Sequence, residues 1–330
     1  MSEPILKSHW ERVSQHIDLD PNTAQHLLKP YTNEKISAQT LLSNGCANTN
    51  YKIILQDGQI VVIRIYVRDQ SSLLRETGVN QLVNAVLPVA KYLHADASCS
   101  LFPYPYAIME WKEGILLREL IFTHDEAAIS SVMQEAGYYL SILRKMKLPV
   151  GGFFQDDMQI KPFGLEDEYF GFMMQMLQDK VVAASLGKNL QEMVWQVISA
   201  CTNLIPEIND ANLTHGDYDP ANILVKQENG SWMISAILDW EFAHAGTYLL
   251  DMGLMLRYSH KLPAYFESSF TKGIEEGGAA LPSDWKKQAK LMDLLCLMQL
   301  LHANPAGERP YMNRDIVRLV NQIVSAMPKL

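Results

Sequence analysis

The sequence predicts an α+β fold with two unequal lobes, a small antiparallel-sheet lobe at the N-terminus and a larger, mainly helical lobe at the C-terminus. Two strand-like runs joined by a tight turn lie in the first third of the chain. Helical periodicity dominates from about Leu116 onward, and one hairpin interrupts it. The chain has 330 residues, which is long enough for about two domains. We therefore expect a cleft between the lobes to hold the ligand site.

The early hairpin consists of residues 50–55 and 60–67. An Asp-Gly dipeptide joins them, and it favours the positive φ angles that a tight hairpin needs. Apolar residues recur at helical intervals over residues 71–86 and predict a helix after the hairpin. The first 35 residues combine apolar positions at helical spacing with the dipeptide Asp20-Pro21, which suits a helix start. They predict peripheral helices ahead of the sheet.

A short apolar strand over residues 106–109 leads into the segment 110–114, which we interpret as a hinge. The two lobes are accordingly predicted to span residues 1–109 and 115–330. A second hairpin, within residues 223–238, is embedded in the helical lobe. The helical periodicity of that lobe predicts helices over residues 125–146, 168–186, 189–204, 284–302 and 313–327.

Charge and cysteine usage exclude several classes of function. The chain has 28 Lys and Arg against 37 Asp and Glu, a net charge of −9, and no long basic run, so neither nucleic acid nor an anionic membrane is an expected partner. The four cysteines lie far apart without a CxxC pair, which argues against a disulfide scaffold or a zinc knuckle. Neither a membrane-spanning apolar run nor a secretion signal is present. The simplest expectation is a cytoplasmic protein.

The residues that carry chemistry cluster in two elements of the helical region. Residues 214–222 read T-H-G-D-Y-D-P-A-N, and residues 237–241 read I-L-D-W-E after the second hairpin. Phosphoryl transfer needs a carboxylate beside the attacking hydroxyl and oxygen ligands that fix Mg²⁺ against a triphosphate. Asp217, Asn222 and Asp239 supply these groups. The structural alternative is a capped turn followed by an ordinary hairpin.

The elements H-G-D-x-x-x-x-N and I-x-D-W-E resemble the catalytic and metal-binding signatures of the aminoglycoside phosphotransferase and choline kinase-like family, whose fold is that of the protein kinases. The resemblance covers about residues 35–258. It implies a two-lobed protein-kinase-like fold and transfer of the γ-phosphoryl group of ATP or GTP. It also implies that Asp217 is the catalytic base and that Asn222 and Asp239 hold Mg²⁺.

The first third of the chain extends the resemblance. The family has a nucleotide-covering loop before the first strand of the hairpin, where this chain places Gly45 and Asn48, which offer backbone freedom and amide donors near phosphate. Arg64 lies where kinases keep a phosphate-binding lysine, and Glu76 lies where they keep its carboxylate partner. Arginine can bind phosphate through two N–H groups, although its planar shape differs from that of lysine. The alternatives are an outward-facing strand residue and a solvated helix position.

The predicted hinge resembles the segment whose main-chain N–H and C=O groups bind the adenine edge in this family. The resemblance assigns Met109, Glu110 and Trp111 to the nucleotide, and a buried strand is the alternative. Backbone contacts of this kind do not distinguish ATP from GTP. Asp251 matches a family aspartate that braces the catalytic loop, and we interpret His215 as an anchor of the same loop.

We therefore predict a Mg²⁺-dependent phosphotransferase that acts on a hydroxyl group of a small molecule. Residues 151–170 carry a local charge of about −4, which would suit a cationic amino sugar or amino alcohol; a solvated acidic loop is the alternative. Arg64 in place of lysine motivates a second hypothesis, a nucleotide-binding pseudokinase or sensor without turnover. A protein kinase is disfavoured because the A-P-E landmark is absent from the sequence.

Overall fold

An antiparallel sheet in the N-terminal part is followed by a mainly helical C-terminal part, which confirms the predicted α+β architecture. Within the described residues, no helix is long and apolar enough to cross a lipid bilayer. The computed structural model describes residues 5–12, 14–42, 47–67, 70–164, 168–304 and 307–327.

The N-terminal sheet has the strand order β1-β2-β3-β5-β4, with antiparallel neighbours throughout. Side chains alternate across β3, so Val61 and Ile63 are buried in one cluster with helix α1, whereas Arg64 faces the other side of the sheet. Glu76 of helix α2 contacts Arg64 on that side. The elements are α1 Pro21–Leu28, β1 Ile36–Leu42, β2 Thr49–Leu55, β3 Ile60–Ile65, α2 Gln70–Val83, β4 Tyr92–Asp96 and β5 Tyr106–Glu110.

The C-terminal part packs its helices around one large apolar core. Its helices are α3 Leu117–Ile121, α4 Glu126–Lys145, α5 Tyr169–Gln178, α6 Lys180–Ala200, α7 Tyr248–Met255, α8 Ala264–Glu276, α9 Trp285–Ala303 and α10 Pro310–Ala326. Its strands are β6 Ile115–Leu116, β7 Gly152–Phe154, β8 Ile160–Pro162, β9 Asn212–Thr214, β10 Ile223–Glu228, β11 Ser231–Ile237 and β12 His244–Gly246.

Two strand pairings bring the polar sequence elements together. In the hairpin β10–β11, Ile223 at the start of one strand is opposite Ile237 at the end of the other. In the sheet β8-β7-β12-β9, Thr214 at the end of β9 is opposite His244 at the start of β12. The loop after β9 and the segment between β11 and β12 therefore meet at one edge.

The structure has one helix boundary that the sequence does not predict. The predicted break at residues 187–188 coincides with Gly187, whose φ and ψ of 72° and 160° are not helical, but the chain also breaks at Asp179, between α5 and α6. The Asp179 carboxylate accepts hydrogen bonds from the main-chain N–H groups of Val181 and Val182, so it caps the start of α6. At Gly187 the backbone leaves the helical conformation, so α6 consists of two helical parts joined by a kink.

The N-terminal segment also differs from the prediction, because residues 5–12 and 14–19 contain no helix. Leu6 is buried in the apolar core of the C-terminal part. The indole N–H of Trp10 donates to Asp315 of α10 at 3.0 Å. These tertiary contacts outweigh the helical spacing of the apolar residues, which is only a weak local preference. Residues 5–12 therefore lie against the C-terminal helices, whereas Ile17 and Leu19 pack against the N-terminal sheet.

Helices α4 and α8 cross at a distance that only glycine permits. A Cβ atom added to Gly273 would lie 1.8 Å from the carbonyl oxygen of Gln134, and one added to Gly137 would lie 1.9 Å from the carbonyl oxygen of Phe270. Backbone cannot yield as a flexible side chain does, so the crossing depends on both glycines.

The substitution Gly273→Ala should lower the free energy of unfolding by about 1–3 kcal/mol, because the methyl group forces the two helices apart. In an unobstructed helix the same change would raise stability by roughly 0.5–1 kcal/mol, so the sign of the effect is diagnostic. Urea unfolding of the variant would measure it, with Ser268→Ala on the exposed side of α8 as the control. A more stable Gly273→Ala variant would contradict the close crossing.

Candidate active site

The loop that follows β9 is held from beneath by a buried carboxylate. Asp251, in the first turn of α7, is fully buried and accepts hydrogen bonds from the main-chain N–H groups of His215 and Gly216 at 2.8 and 2.9 Å. Burial raises the pKa of Asp251 to about 7, although the two N–H donors favour its charged form. The geometry agrees with the bracing position that the sequence predicts for Asp251.

Gly216 has a φ of 80°, and an added Cβ atom would lie 2.4 Å from the carbonyl oxygen of Phe242. The turn therefore needs glycine for both its conformation and its space. His215 lies beside it, with its ring centroid 4.4 Å from that of Trp240. Its Nε2 lies 2.9 Å from the carbonyl oxygen of Leu238 and its Nδ1 lies 3.2 Å from the main-chain N of Asp217, which assigns the proton to Nε2. His215 thus joins the loop to the end of β11 and has no ring nitrogen left for a ligand.

Asp217 and Asn222 form a direct pair. The side-chain N–H₂ of Asn222 donates to the Asp217 carboxylate at 2.7 Å and to the Asp217 carbonyl oxygen at 2.9 Å. Both bonds use the N–H₂ group of Asn222, so its side-chain carbonyl oxygen remains available as an acceptor. The five-residue step between the two residues therefore closes a compact loop.

Arg64 links the sheet to the C-terminal part through two acids. One guanidinium nitrogen, Nη2, lies 2.8 Å from Glu76 Oε1 and 2.6 Å from Asp239 Oδ1. Asp239 has a φ of 66°, a left-handed conformation that non-glycine residues seldom adopt outside functional turns. Arg64 Nε is buried and has no hydrogen-bond partner in the described part of the chain. The Nε–H group of Arg64 is thus a buried donor to which no described residue supplies an acceptor.

Two tyrosines fix the carboxylate of Glu76. The hydroxyl groups of Tyr66 and Tyr92 both donate to Glu76 Oε2, the latter at 2.6 Å. Glu76 and Tyr66 are buried, so these bonds stabilise a charge that is removed from water. Nothing in the sequence motifs indicates the two tyrosines, because their positions carry no recognisable spacing relative to Glu76.

Lys7 is a further site residue that the sequence does not indicate. Its ammonium lies 2.8 Å from Asp217 Oδ1 and forms a second ion pair with Asp219. Burial acts to raise the pKa of Asp217, but the Lys7 charge, together with the hydrogen bonds from Lys7 and Asn222, outweighs it and holds that pKa below the ordinary range. A lone lysine near the start of a chain gives no signal that could have predicted this contact.

Two cavities meet at this loop. The interlobe cavity, of about 250 Å³, is lined by Asn48, Arg64, Trp111, Asn222 and Asp239 among others. The Asp217 cavity, of about 490 Å³, is lined by Lys7, Trp10, Gly216, Asp217, Phe242, Leu254, Arg257, Cys296, Gln299, Leu300, Ala303, Asn304 and Arg309. The Asp217–Asn222 hydrogen bond connects the two cavities.

Some predicted site residues do not line either cavity. Glu76 lies behind Arg64, and Met109 and Glu110 pair with neighbouring strands of the sheet. Within the predicted hinge 110–114, Trp111, Lys112 and Gly114 line the interlobe cavity. Gly45 lies outside the described residues.

The metal-binding potential of the site is modest without a ligand. Among the described residues, no group of three or more His, Cys, Asp and Glu side chains converges on one point. Asn222 and Asp239 nevertheless both face the interlobe cavity and offer oxygen donors only. Mg²⁺ prefers such donors and often takes its remaining ligands from water and substrate phosphates.

Comparisons with known proteins agree with this fold. The family model of the phosphotransferase enzyme family (APH) matches residues 38–285. A solved structure of similar fold is a thermostable mutant of aminoglycoside phosphotransferase APH(4)-Ia in a ternary complex with AMP-PNP and hygromycin B. It has a TM-score of 0.64 and 17% sequence identity over 93% of this chain and 98% of that chain. Macrolide 2'-phosphotransferase MphH from Brachybacterium faecium has a TM-score of 0.62 and 14% identity over 92% and 98%. No curated protein matches the sequence.

Replacement of the brace should loosen the whole loop. In Asp251→Asn an amide N–H₂ replaces one of the two acceptor oxygens and opposes a main-chain donor, so we expect the free energy of unfolding to fall by about 1–3 kcal/mol. Denaturant unfolding at neutral pH measures the loss. Asp210→Asn, at an exposed aspartate, should change stability by less than about 0.5 kcal/mol. Equal stability of both variants would contradict the bracing geometry.

Stability should also report on the neutral His215 ring. Burial lowers the pKa of His215 from 6.5 to about 4. Between pH 4 and pH 6.5, His215 is therefore protonated in the unfolded chain but neutral in the folded chain. The stabilisation is complete above about pH 6.5 and is lost as the pH falls toward 4. The difference in unfolding free energy between wild type and His215→Asn should therefore shrink by about 1–3 kcal/mol over this range. A difference that stays constant with pH would refute the assignment.

Proposed function

The chain belongs to the phosphotransferase enzyme family, and from that premise we propose that it transfers the γ-phosphoryl group of ATP or GTP to a hydroxyl group of a small molecule. The observation that carries the proposal is the Asp217–Asn222 hydrogen bond, which joins the interlobe cavity to the Asp217 cavity. A donor in the first cavity and an acceptor in the second would meet at this pair. Short separation and fixed orientation of two reactants are a large part of catalysis.

The donor would occupy the interlobe cavity. A phosphate oxygen there would accept from the Arg64 Nε–H, which otherwise stays buried without a partner. Asn48 and Trp111 line the same cavity, from the loop before β2 and from the proposed hinge. We accordingly retain residues 110–114 as the hinge between lobes 1–109 and 115–330. The similar APH(4)-Ia structure contains AMP-PNP, which supports a nucleoside triphosphate donor.

Asn222 and Asp239 would hold Mg²⁺. The Asn222 carbonyl oxygen is left over from its bonds to Asp217, and Asp239 Oδ2 is left over from the bond of Oδ1 to Arg64. When bound, Mg²⁺ would neutralise charge on the triphosphate. Arg64 and Glu76 would keep Asp239 oriented toward the cavity, since one guanidinium nitrogen, Nη2, pairs with both acids.

Asp217 would accept the proton of the acceptor hydroxyl. The acceptor oxygen forms a bond to the γ-phosphorus, the bond from that phosphorus to the bridging oxygen breaks, and the nucleoside diphosphate leaves. The lowered pKa of Asp217 keeps it as the carboxylate that this step requires. His215 would take no part in proton transfer, because both ring nitrogens are engaged in the loop.

Asp217→Asn and Asp239→Asn should each lower kcat/KM by about 10²–10⁴, because they remove the proton acceptor and a metal ligand. Release of nucleoside diphosphate would be measured over a panel of sugars, polyols and amino alcohols. Calorimetry should show that Asp217→Asn still binds ATP with Mg²⁺, while Asp239→Asn loses the Mg²⁺-dependent part of that affinity. Asp210→Asn serves as the exposed control.

Turnover that survives Asp217→Asn would refute the assignment of the base. Tight nucleotide binding by the wild type without product from any acceptor would favour the pseudokinase instead.

A further inference from the structure

The Asp217 cavity does not have the charge that the acidic segment 151–170 predicts for an acceptor site. Among the described residues that line it, Asp217 is the acidic one, whereas Lys7, Arg257 and Arg309 are basic. Asp156 and Asp157 are exposed beside strand β8 and are not part of its wall. The described part of the wall therefore offers no array of carboxylates to a polycation, and Glu166 and Asp167 of the acidic segment lie outside the described residues.

Each charge on the wall has a counter-charge within the protein. Lys7 pairs with Asp217 and with Asp219 behind it. Arg257 Nη2 lies 2.7 Å from Asp293 Oδ1, and both side chains are buried. The charge of Arg309 helps to lower the pKa of Glu11. A ligand thus meets a wall whose charges are already compensated.

The remainder of the wall is uncharged and largely apolar. It combines two aromatic rings, aliphatic side chains and two amides, namely Trp10, Phe242, Leu254, Leu300, Ala303, Gln299 and Asn304. Aromatic faces together with a few amide groups suit a molecule that has both an apolar face and hydroxyl groups. A cavity of about 490 Å³ is in the usual range for a small-molecule ligand.

Lys7 is fixed by its own segment. Trp10 is anchored on α10 through Asp315, and the Glu11 carboxylate accepts from the main-chain N–H groups of Tyr311 and Met312 at 2.7 and 3.1 Å. Arg12 donates to the carbonyl oxygens of Ala47 and Asn48 at 2.5 and 3.0 Å. We call residues 5–12 the strap.

The backbone conformation of Leu6 and Lys7 also indicates that the position of Lys7 is fixed. Leu6 and Lys7 have φ angles of 55° and 58°. Such left-handed conformations of non-glycine residues persist only where surrounding contacts impose them, and they concentrate at functional sites. Burial of Leu6 and the anchors of the strap supply those contacts. Lys7 is therefore a built part of the wall.

We infer that Lys7 is a specificity-determining residue of the acceptor side, and that the acceptor is an uncharged hydroxyl compound, of the sugar or polyol class, rather than an ammonium-bearing one. The inference rests on the proposed function. The Lys7 ammonium occupies the position between Asp217 and Asp219 that a substrate ammonium would need. Asp217 Oδ1 retains a second lone pair, so an acceptor hydroxyl can still donate to it while Lys7 stays in place.

Removal of the Lys7 charge should open an ammonium site, and calorimetry with kanamycin as the cationic probe tests this without turnover. Lys7→Met should bind kanamycin roughly tenfold more tightly than the wild type, because two carboxylates lose their internal cation. Lys272→Met, at an exposed lysine of α8, makes the same change in net charge and should bind like the wild type. Lys7→Arg keeps the cation and should also behave like the wild type. Melting temperature and ATP affinity establish that each variant is folded.

Two results would overturn the inference. Equal affinity of wild type and Lys7→Met for kanamycin would mean that Lys7 leaves the acids when a cation arrives, or that the acids form no ammonium site. Preference of the wild type for the amino member of matched pairs, such as glucosamine over glucose, would overturn it with the phosphotransferase function intact. If instead Lys7→Met gains kanamycin affinity while no compound is phosphorylated, the proposed function fails and the charge assignment of the cavity stands.

Discussion

Crowding of negative charge is the constraint on which the site depends. Asp217, Asp219 and Asp239 lie within one partly buried region, where water screens their repulsion poorly. Two internal cations balance this negative charge: Lys7 pairs with Asp217 and Asp219, and Arg64 pairs with Asp239. Both come from sequence regions far from the acids. The arrangement of the strap, the sheet and α2 can be understood as the means of delivering these two cations.

The backbone does most of that positioning. Alternation along β3 turns Arg64 away from the apolar core of the sheet, and two tyrosines and Glu76 then fix its direction. Opposite it, the paired strands β9 and β12 and the hairpin β10–β11 deliver the acids to one edge. Asp251 of α7 accepts hydrogen bonds from the main-chain N–H groups of His215 and Gly216, and so connects the loop after β9 to α7. These bonds use backbone donors, which do not depend on the side chains of the loop.

The family resemblance pointed to Arg64, Glu76, Asn222 and Asp239, which the structure brings into one region. Local patterns predicted the fold class and both hairpins, because strand alternation and turn residues translate directly into geometry. They failed where long-range contacts decide. The strap is not helical because Trp10 and its neighbours bind distant groups, and the additional helix boundary at Asp179 follows a side-chain cap that the apolar periodicity does not indicate. Lys7 could not be predicted, since its partners are more than two hundred positions away in sequence.

The strap has a thermodynamic consequence for the order in which two ligands bind. At one end of the strap, Arg12 contacts Ala47 and Asn48 in the loop beside the interlobe cavity. Lys7, which lies only five residues before Arg12, contacts Asp217. A ligand that repositions either end changes the conformational freedom of the other. Linkage requires such an influence to be reciprocal, so cooperativity between the two cavities would have equal strength in both directions. One short covalent segment can therefore couple occupancy of the two cavities without any movement of the lobes.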